Sequence, residues 1–211
     1  MTAASLQVAA IADGRLQPQE WYDVTAPPPG IARTAGALAA RHGAETLAPG
    51  ELCDLVANIA TRSDLWRPLL VCDRTRRRYR LMFEDPRLDI WVLSWMPGQA
   101  TGYHDHGISN VALTTLQGVV LERQIRVGKA SIERELRPGF VQPGRAGYIH
   151  SVTHHSGAPA ATLHAYSPPL LEVGQYRAGP DEVLLREQQH GRRELLDHTI
   201  GDAAHAQKAT R

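Results

Sequence analysis

Hydrophobic residues recur at helical spacing in the first part of the chain. One apolar stripe consists of a leucine and the residues three, four and seven positions after it: Leu52, Leu55, Val56 and Ile59. This stripe predicts a helix over residues 49–61, and Pro49 suits its first turn. A run rich in Ala and Leu predicts another helix over residues 31–42 that ends near Gly43. Residues 1–65 are therefore predicted to form a helical layer.

After residue 65 the pattern changes to short apolar runs bounded by glycine and proline. Runs of about five to eight residues, rich in branched and aromatic side chains, predict β-strands. The predicted strands are residues 69–73, 79–83, 89–95, 104–118, 119–127, 131–136, 140–141, 147–152 and 161–166. Such a succession predicts an antiparallel sandwich or closed barrel over residues 66–180. Beyond it, residues 181–190 are predicted to form an amphipathic helix and residues 191–211 a tail, all within one structural domain.

Composition excludes several classes of protein. The chain has 211 residues with a formal net charge of +1, so its overall charge does not predict binding to nucleic acid or to an acidic membrane. No apolar run approaches the ~20 residues of a membrane span, and the N-terminus lacks the basic region of a secretory signal. The two cysteines, Cys53 and Cys72, are expected to be reduced thiols. We therefore expect a cytoplasmic globular protein, with an oligomeric state that the sequence does not predict.

Histidine is unusually frequent, with ten residues against two phenylalanines. His104 and His106 lie two apart, so on a β-strand both would point to the same face. Such a pair also occurs without a metal, but a third histidine, His150, ends a second glycine-punctuated strand. Three neutral imidazoles with open coordination positions suit Fe(II), Mn(II), Ni(II) or Zn(II). The sequence therefore predicts a three-histidine metal site.

These motifs resemble those of the cupin superfamily. The spacing Gly98-x5-His104-x-His106-x4-Val111-x6-Gly118 resembles the first cupin motif, and Gly147-x2-His150 the core of the second. Most cupins carry a glutamate ligand shortly after the first two histidines, where this chain has Asn110 and Val111. The resemblance implies a mainly β, cupin-type β-barrel (jelly roll) beneath the N-terminal helical layer, with no acidic metal ligand.

A further segment, Leu163-His-Ala-Tyr-Ser-Pro-Pro169, resembles the cysteine dioxygenase family of thiol dioxygenases. The resemblance spans roughly residues 70–170 and implies that the three histidines bind Fe(II). It also implies that Tyr166 lies near the bound thiol and O₂, that His164 hydrogen-bonds the Tyr166 hydroxyl, and that Thr162 replaces a family serine in the same relay. Strand alternation would put these three side chains on one face. The resemblance also implies a cis peptide bond between Ser167 and Pro168, which would help to aim Tyr166.

Two positions depart from the family pattern or leave it open. Val111 stands where mammalian members have a cysteine that is crosslinked to the tyrosine, so that crosslink is excluded here. Cysteine-specific members hold the substrate carboxylate with an arginine on an early strand, for which Arg80 is the first candidate and Arg78 the alternate. Enzymes acting on 3-mercaptopropionate use an arginine in the loop after Ser-Pro-Pro, which could be Arg177. The arginine run over residues 74–80 as a whole is most simply interpreted as a solvated hairpin, and phosphate binding is a less favoured alternative.

The resemblance implies an iron(II)-dependent thiol dioxygenase that converts a small carboxylated thiol and O₂ into a sulfinic acid. L-cysteine is the first expected substrate and 3-mercaptopropionate the second. Other three-histidine cupins are oxygenases of different specificity or metal-dependent isomerases, and these classes stay open. A cupin without metal that binds a ligand or partner is a further alternative, disfavoured by the presence of all three histidines.

Overall fold

The computed structural model describes residues 26–126, 129–178, 184–190 and 198–199. Three helices come first: α1 (Pro29–Ala39), α2 (Pro49–Ala60) and α3 (Ser63–Trp66), followed by a 3-10 turn at Arg67–Leu69. The strands are β1 (Arg78–Glu84), β2 (Asp89–Trp95), β3 (Gln99–Ala100), β4 (His104–Asp105), β5 (Asn110–Gln117), β6 (Val120–Arg126), β7 (Lys129–Leu136), β8 (Val141–Gly144), β9 (Ile149–Thr153), β10 (Ala160–Ser167), β11 (Glu172–Ala178), β12 (Leu184–His190) and β13 (His198–Thr199).

The strands form two antiparallel sheets. The first sheet has the order β1-β2-β10-β5-β8, and the second has the order β12-β11-β4-β9-β3-β13. Strand β6 joins the second sheet by pairing with β9, and β7 pairs with β6. Side chains from the inner faces of both sheets form one buried cluster, which includes Trp91, Val111, Val152 and Tyr166. The chain is therefore mainly β, as the sequence predicted.

The N-terminal helices cover the outer face of the first sheet. The predicted stripe of α2 is fully buried there and packs in one cluster with Val92 and Leu163 of the sheet. The Glu51 carboxylate accepts a hydrogen bond of 2.9 Å from the backbone N–H of Ala48, which satisfies one of the unpaired donors at the start of this helix. The first sheet thus has two covered faces, one toward the helices and one toward the barrel interior.

Three predicted elements are wrong. Residues 69–73 form no strand: Leu69 ends the 3-10 turn, and the chain from Leu70 to Asp73 is irregular. The single strand expected over residues 104–118 is interrupted between β4 and β5, where Gly107 has a φ angle of +57° and turns the chain. The helix expected at residues 181–190 is a strand over Leu184–His190, which pairs with β11.

Some predicted parts lie outside the described residues. They include residues 1–25 of the predicted helical layer, residues 181–183 of the segment expected to form a helix and most of the tail over 191–211. Within the ranges that the structure describes, no helix is long and apolar enough to cross a membrane.

Candidate metal centre and its surroundings

The structure brings the three predicted ligand histidines together. His104 on β4 lies directly opposite His150 on β9 in the antiparallel pairing, and His106 follows β4 by one residue. All three side chains are buried, and one ligand atom of each lies within 4.8 Å of the others. The ring centroids are 4.6 to 5.1 Å apart. This arrangement can hold a single metal ion between the two strands.

Hydrogen bonds orient two of the rings. The Nδ1 atom of His104 lies 3.1 Å from the carbonyl oxygen of Gly102, and the Nδ1 atom of His150 lies 2.8 Å from the Glu122 carboxylate. Both partners are acceptors, so each Nδ1 carries the proton and each Nε2 keeps a lone pair for a metal. Burial lowers the pKa of His150 to about 4, although the hydrogen bond to Glu122 acts in the opposite direction. His150 is therefore neutral near pH 7, as a metal ligand must be.

The intervening Asp105 serves a different purpose. Its carboxylate accepts hydrogen bonds from Arg186 Nε at 2.7 Å and Nη2 at 2.9 Å, from the Tyr176 hydroxyl at 2.7 Å and from the Gly107 N–H at 2.9 Å. Burial would raise the pKa of Asp105, but these bonds outweigh it and hold the pKa well below its usual range. Asp105 thus fastens the histidine segment to the hairpin of β11 and β12.

The positions where many cupins carry a glutamate ligand have other roles. The Asn110 side chain donates to the backbone carbonyl of Leu47 at 3.0 Å and accepts from the N–H of Ala146 at 3.3 Å. Val111 is fully buried in the barrel and lies opposite Tyr166 in the pairing of β5 with β10. Neither side chain can act as an acidic ligand, and Val111 offers no sulfur to Tyr166.

The predicted relay lies on one face of β10. His164 Nδ1 is 3.0 Å from the Tyr166 hydroxyl, and His164 Nε2 is 3.0 Å from Thr162 Oγ1. Trp95, which the sequence analysis missed, donates its indole N–H to Thr162 Oγ1 at 2.9 Å. The Tyr166 ring lies 5.0 Å from that of His106. The relay therefore ends beside the histidine cluster, and the peptide bond after Ser167 is cis as expected.

The structure does not bring the proposed substrate arginines to this centre. Arg80 lies opposite Val92, on the face of β1 that turns toward the helices. The alternate, Arg78, shares that face and pairs with Asp73 at 2.8 Å. Arg177 belongs to β11 rather than to a loop, its side chain is 60% exposed, and it pairs with Glu187.

A different arginine enters the barrel. Arg77 immediately precedes β1, is only 1% exposed, and places its guanidinium carbon 4.7 Å from the centre of the Trp95 ring. Tyr79 and Leu81, the next residues of the same parity, are buried in the inner cluster. This apolar pair could have identified Arg77 from the sequence, because it indicates that residues 77, 79 and 81 point to the inner face of the sheet.

Glu122 was also missed. It is fully buried on β6 and touches His150 through the hydrogen bond described above. The sequence could have revealed Glu122, because this single acidic residue follows two valines and a leucine and a charged side chain within an apolar strand needs a partner.

Parts of this chain are similar to known proteins. Over 130 residues the chain is 26% identical to cysteine dioxygenase type 1 of Danio rerio, covering 56% of this chain and 65% of that protein, somewhat less than two thirds of its length. A solved structure from Thermus thermophilus is 26% identical, with a TM-score of 0.44, covering 49% of this chain and 93% of that one. A cupin superfamily protein from Desulfitobacterium hafniense is 15% identical, with a TM-score of 0.41, covering 47% and 84%. The family model for cysteine dioxygenase type I matches residues 44–178, well over half of the sequence, so the chain belongs to the cysteine dioxygenase type I family.

Proposed function

We propose that this protein is an iron(II)-dependent thiol dioxygenase whose substrate is a small carboxylated thiol, with L-cysteine as the first choice. Membership of the cysteine dioxygenase type I family supports a metal-dependent dioxygenase. The observation that carries the finer proposal is the position of Tyr166, whose ring lies 5.0 Å from that of His106 while its hydroxyl is bonded to His164. A phenol held at the edge of a three-histidine centre can act on a thiol and O₂ bound there.

The donor set fits iron(II). The Nε2 atom of His150 has no hydrogen-bond partner among the described residues, and it is buried within the histidine cluster. Iron(II) held by neutral imidazoles would keep its positive charge and open positions, where it would bind the thiolate and O₂ and lower the pKa of the thiol. The overall reaction, RSH + O₂ → RSO₂H, adds both oxygen atoms to sulfur and requires no other reductant.

The relay would hold a proton at the Tyr166 hydroxyl. An indole N–H can only donate a hydrogen bond, so Thr162 Oγ1 accepts one from Trp95. The hydroxyl hydrogen of Thr162 can then be donated in a hydrogen bond to His164 Nε2. His164 Nδ1–H would then donate to the Tyr166 oxygen. Because the Tyr166 oxygen accepts from His164, its own hydroxyl hydrogen remains available to donate a hydrogen bond to the substrate, where negative charge would develop on oxygen.

For the substrate carboxylate we propose Arg77 in place of Arg80. Arg77 is the arginine of this basic run that is buried against the inner cluster, whereas Arg80 turns toward the helices. A guanidinium can bind a carboxylate through two parallel hydrogen bonds, which also fixes the position of the sulfur. Arg77 suits 3-mercaptopropionate equally well, because that thiol has the carboxylate and lacks only the amine; 3-mercaptopropionate is therefore the alternative substrate.

The proposal is tested by O₂ uptake. The protein is purified without oxygen, loaded with Fe(II), and mixed with L-cysteine, 3-mercaptopropionate or cysteamine in separate reactions. We expect uptake with a carboxylated thiol and a sulfinate product that contains both atoms of isotopically labelled O₂. No uptake with any of the three thiols would contradict the proposal and support another oxygenase or isomerase activity of the same centre.

A further inference from the structure

Glu122 is a buried carboxylate in direct contact with one candidate metal ligand. Its Oε1 atom lies 2.8 Å from His150 Nδ1 and accepts a second hydrogen bond of 3.0 Å from the Tyr148 hydroxyl. The side chain is fully buried on β6, which pairs with β9. The cost of burying this group requires compensation from its neighbours.

Three neighbours of Glu122 are placed to stabilise a negative charge on its carboxylate. Arg134 lies 3.4 Å from its Oε2 atom and is itself held by the side-chain oxygens of Gln124 and Gln142. The hydrogen bonds from His150 and Tyr148 and the nearby guanidinium of Arg134 offset the cost of burying a carboxylate here. A carboxylate thus faces the ring of His150 from the side opposite to Nε2.

The hydrogen-bond partner of His104 has a different charge from that of His150. His104 donates to a neutral backbone carbonyl, whereas His150 donates to a full negative charge. A carboxylate behind an imidazole makes the ring a stronger electron donor to a metal and fixes its orientation. Asn110 and Val111 lie four and five residues after His106, where many cupins carry a glutamate ligand, and neither is acidic. The three clustered histidines are neutral when they bind a metal, so they bring no negative charge of their own.

We propose that Glu122 is a positioning residue that supplies negative charge to the metal centre indirectly, through the Nδ1–H of His150. The inference rests on the proposed metal-binding function and deepens it. Glu122 would tighten metal binding and favour the oxidised over the reduced state of a bound iron. Arg134, on the other oxygen of the carboxylate, would act in the opposite sense by withdrawing part of that charge.

The first experiment measures metal affinity. Full-length Glu122→Gln keeps the shape and an acceptor for His150 but removes the charge. Competition with a chelator for Zn(II) should show affinity lower by about 10- to 100-fold than in the unaltered protein. The control is Glu133→Gln, the same change at a half-exposed carboxylate on the neighbouring β7 that pairs with Arg123. Equal Zn(II) affinity in Glu122→Gln and the unaltered protein would overturn the proposal.

The second experiment separates charge from structure by measuring the Fe(III)/Fe(II) midpoint potential. Glu122→Gln should raise the potential, and Arg134→Gln should lower it, because the freed carboxylate donates more strongly through His150. A purely structural role would not move the potential in opposite directions in the two variants. If Glu122→Gln fails to fold, Glu122→Asp and Arg134→Gln still test the sign, and an unchanged potential in both would contradict the proposal. Neither measurement uses a thiol, so the result is independent of whether the protein oxidises one.

Discussion

The Nδ1 atom of His164 lies 3.0 Å from the Tyr166 hydroxyl. This contact connects the relay of Thr162, His164 and Tyr166 to the edge of the histidine cluster. Both residues belong to β10, where they lie opposite Trp91 and Asp89 of β2. Because β10 is regular and fully buried, the relay cannot shift without disturbing its pairing with β2 and β5. The position of the Tyr166 hydroxyl is therefore set by the sheet rather than by a loop.

Tyr166→Phe removes the hydroxyl and keeps the ring. We expect kcat for the preferred thiol to fall by about 100-fold or more, the usual scale for loss of a positioned acid–base group. Iron content should stay unchanged, because Tyr166 is not one of the clustered histidines. Steady-state O₂ uptake and metal analysis on the same preparation check both statements. A variant with the kcat of the unaltered protein would contradict the role proposed for Tyr166.

Thr162→Val tests the far end of the relay. Valine has nearly the same shape but leaves the Trp95 N–H without its acceptor and His164 Nε2 without its partner. An unpaired buried polar group costs about 1–3 kcal/mol, so the free energy of unfolding should fall by that amount and kcat should fall as well. Thr162→Ser keeps the hydroxyl and should restore most of both. Urea denaturation and O₂ uptake measure the two effects, and equal behaviour of the valine and serine variants would exclude a role for the hydroxyl.

His150→Ala should abolish iron retention. The variant leaves two clustered histidines and removes the ring that is fixed by Glu122, so the centre loses a third of its ligands. The control is His155→Ala, an exposed histidine five residues further on, which should keep full iron content. Metal analysis after gel filtration under anaerobic conditions provides the measurement. Full iron content in His150→Ala would show that the ligand set is different.

Strand periodicity predicted the parts of the site that lie on regular strands. Thr162, His164 and Tyr166 share a face because β10 runs without interruption through all three. The same reasoning predicted that His104 and His106 lie on one face of a single strand. In the structure β4 ends at Asp105, and His106 begins the turn that contains Gly107. Their role as metal ligands stays a prediction from the family motif.

The features that were missed depend on contacts between distant segments. The polar sequence of β12 has no strong strand pattern, and its conformation comes from pairing with β11 and from Arg186, which reaches back to Asp105. Periodicity over a few residues cannot show such a contact. Arg77 was overlooked for a local reason, because the run of arginines suggested a solvated hairpin even though the buried parity of β1 was readable from Tyr79 and Leu81.

Arg77→Gln tests whether Arg77, rather than Arg80, binds the substrate carboxylate. If Arg77 binds that group, kcat/KM for L-cysteine should fall by about 10- to 100-fold, the scale of a lost charged hydrogen bond. Oxidation of cysteamine, which has no carboxylate, should change little and reports on whether the variant is folded. The matched control, Arg80→Gln, alters a side chain on the opposite face of β1 and should leave kcat/KM for both thiols unchanged. Loss of cysteine activity only in Arg80→Gln would restore the original assignment.

Gly174→Ala tests whether the ion pair behind the metal segment needs an open backbone. A Cβ atom at this position would come within 2.5 Å of Asp105 Oδ2 and would also overlap the Arg186 guanidinium. Arg186 cannot turn aside without giving up its two hydrogen bonds to Asp105, so we expect unfolding to become easier by about 1–3 kcal/mol.

The matched change is Gly43→Ala, where an added Cβ meets no atom within 4 Å and stability should hardly change. Urea denaturation of both variants gives the comparison. A Zn(II) titration of Gly174→Ala then shows whether loosening Asp105 also disturbs the histidines on either side of it. Unaltered stability in Gly174→Ala would mean that the β11–β12 hairpin can move away from Asp105, and that the ion pair does not fix the metal segment.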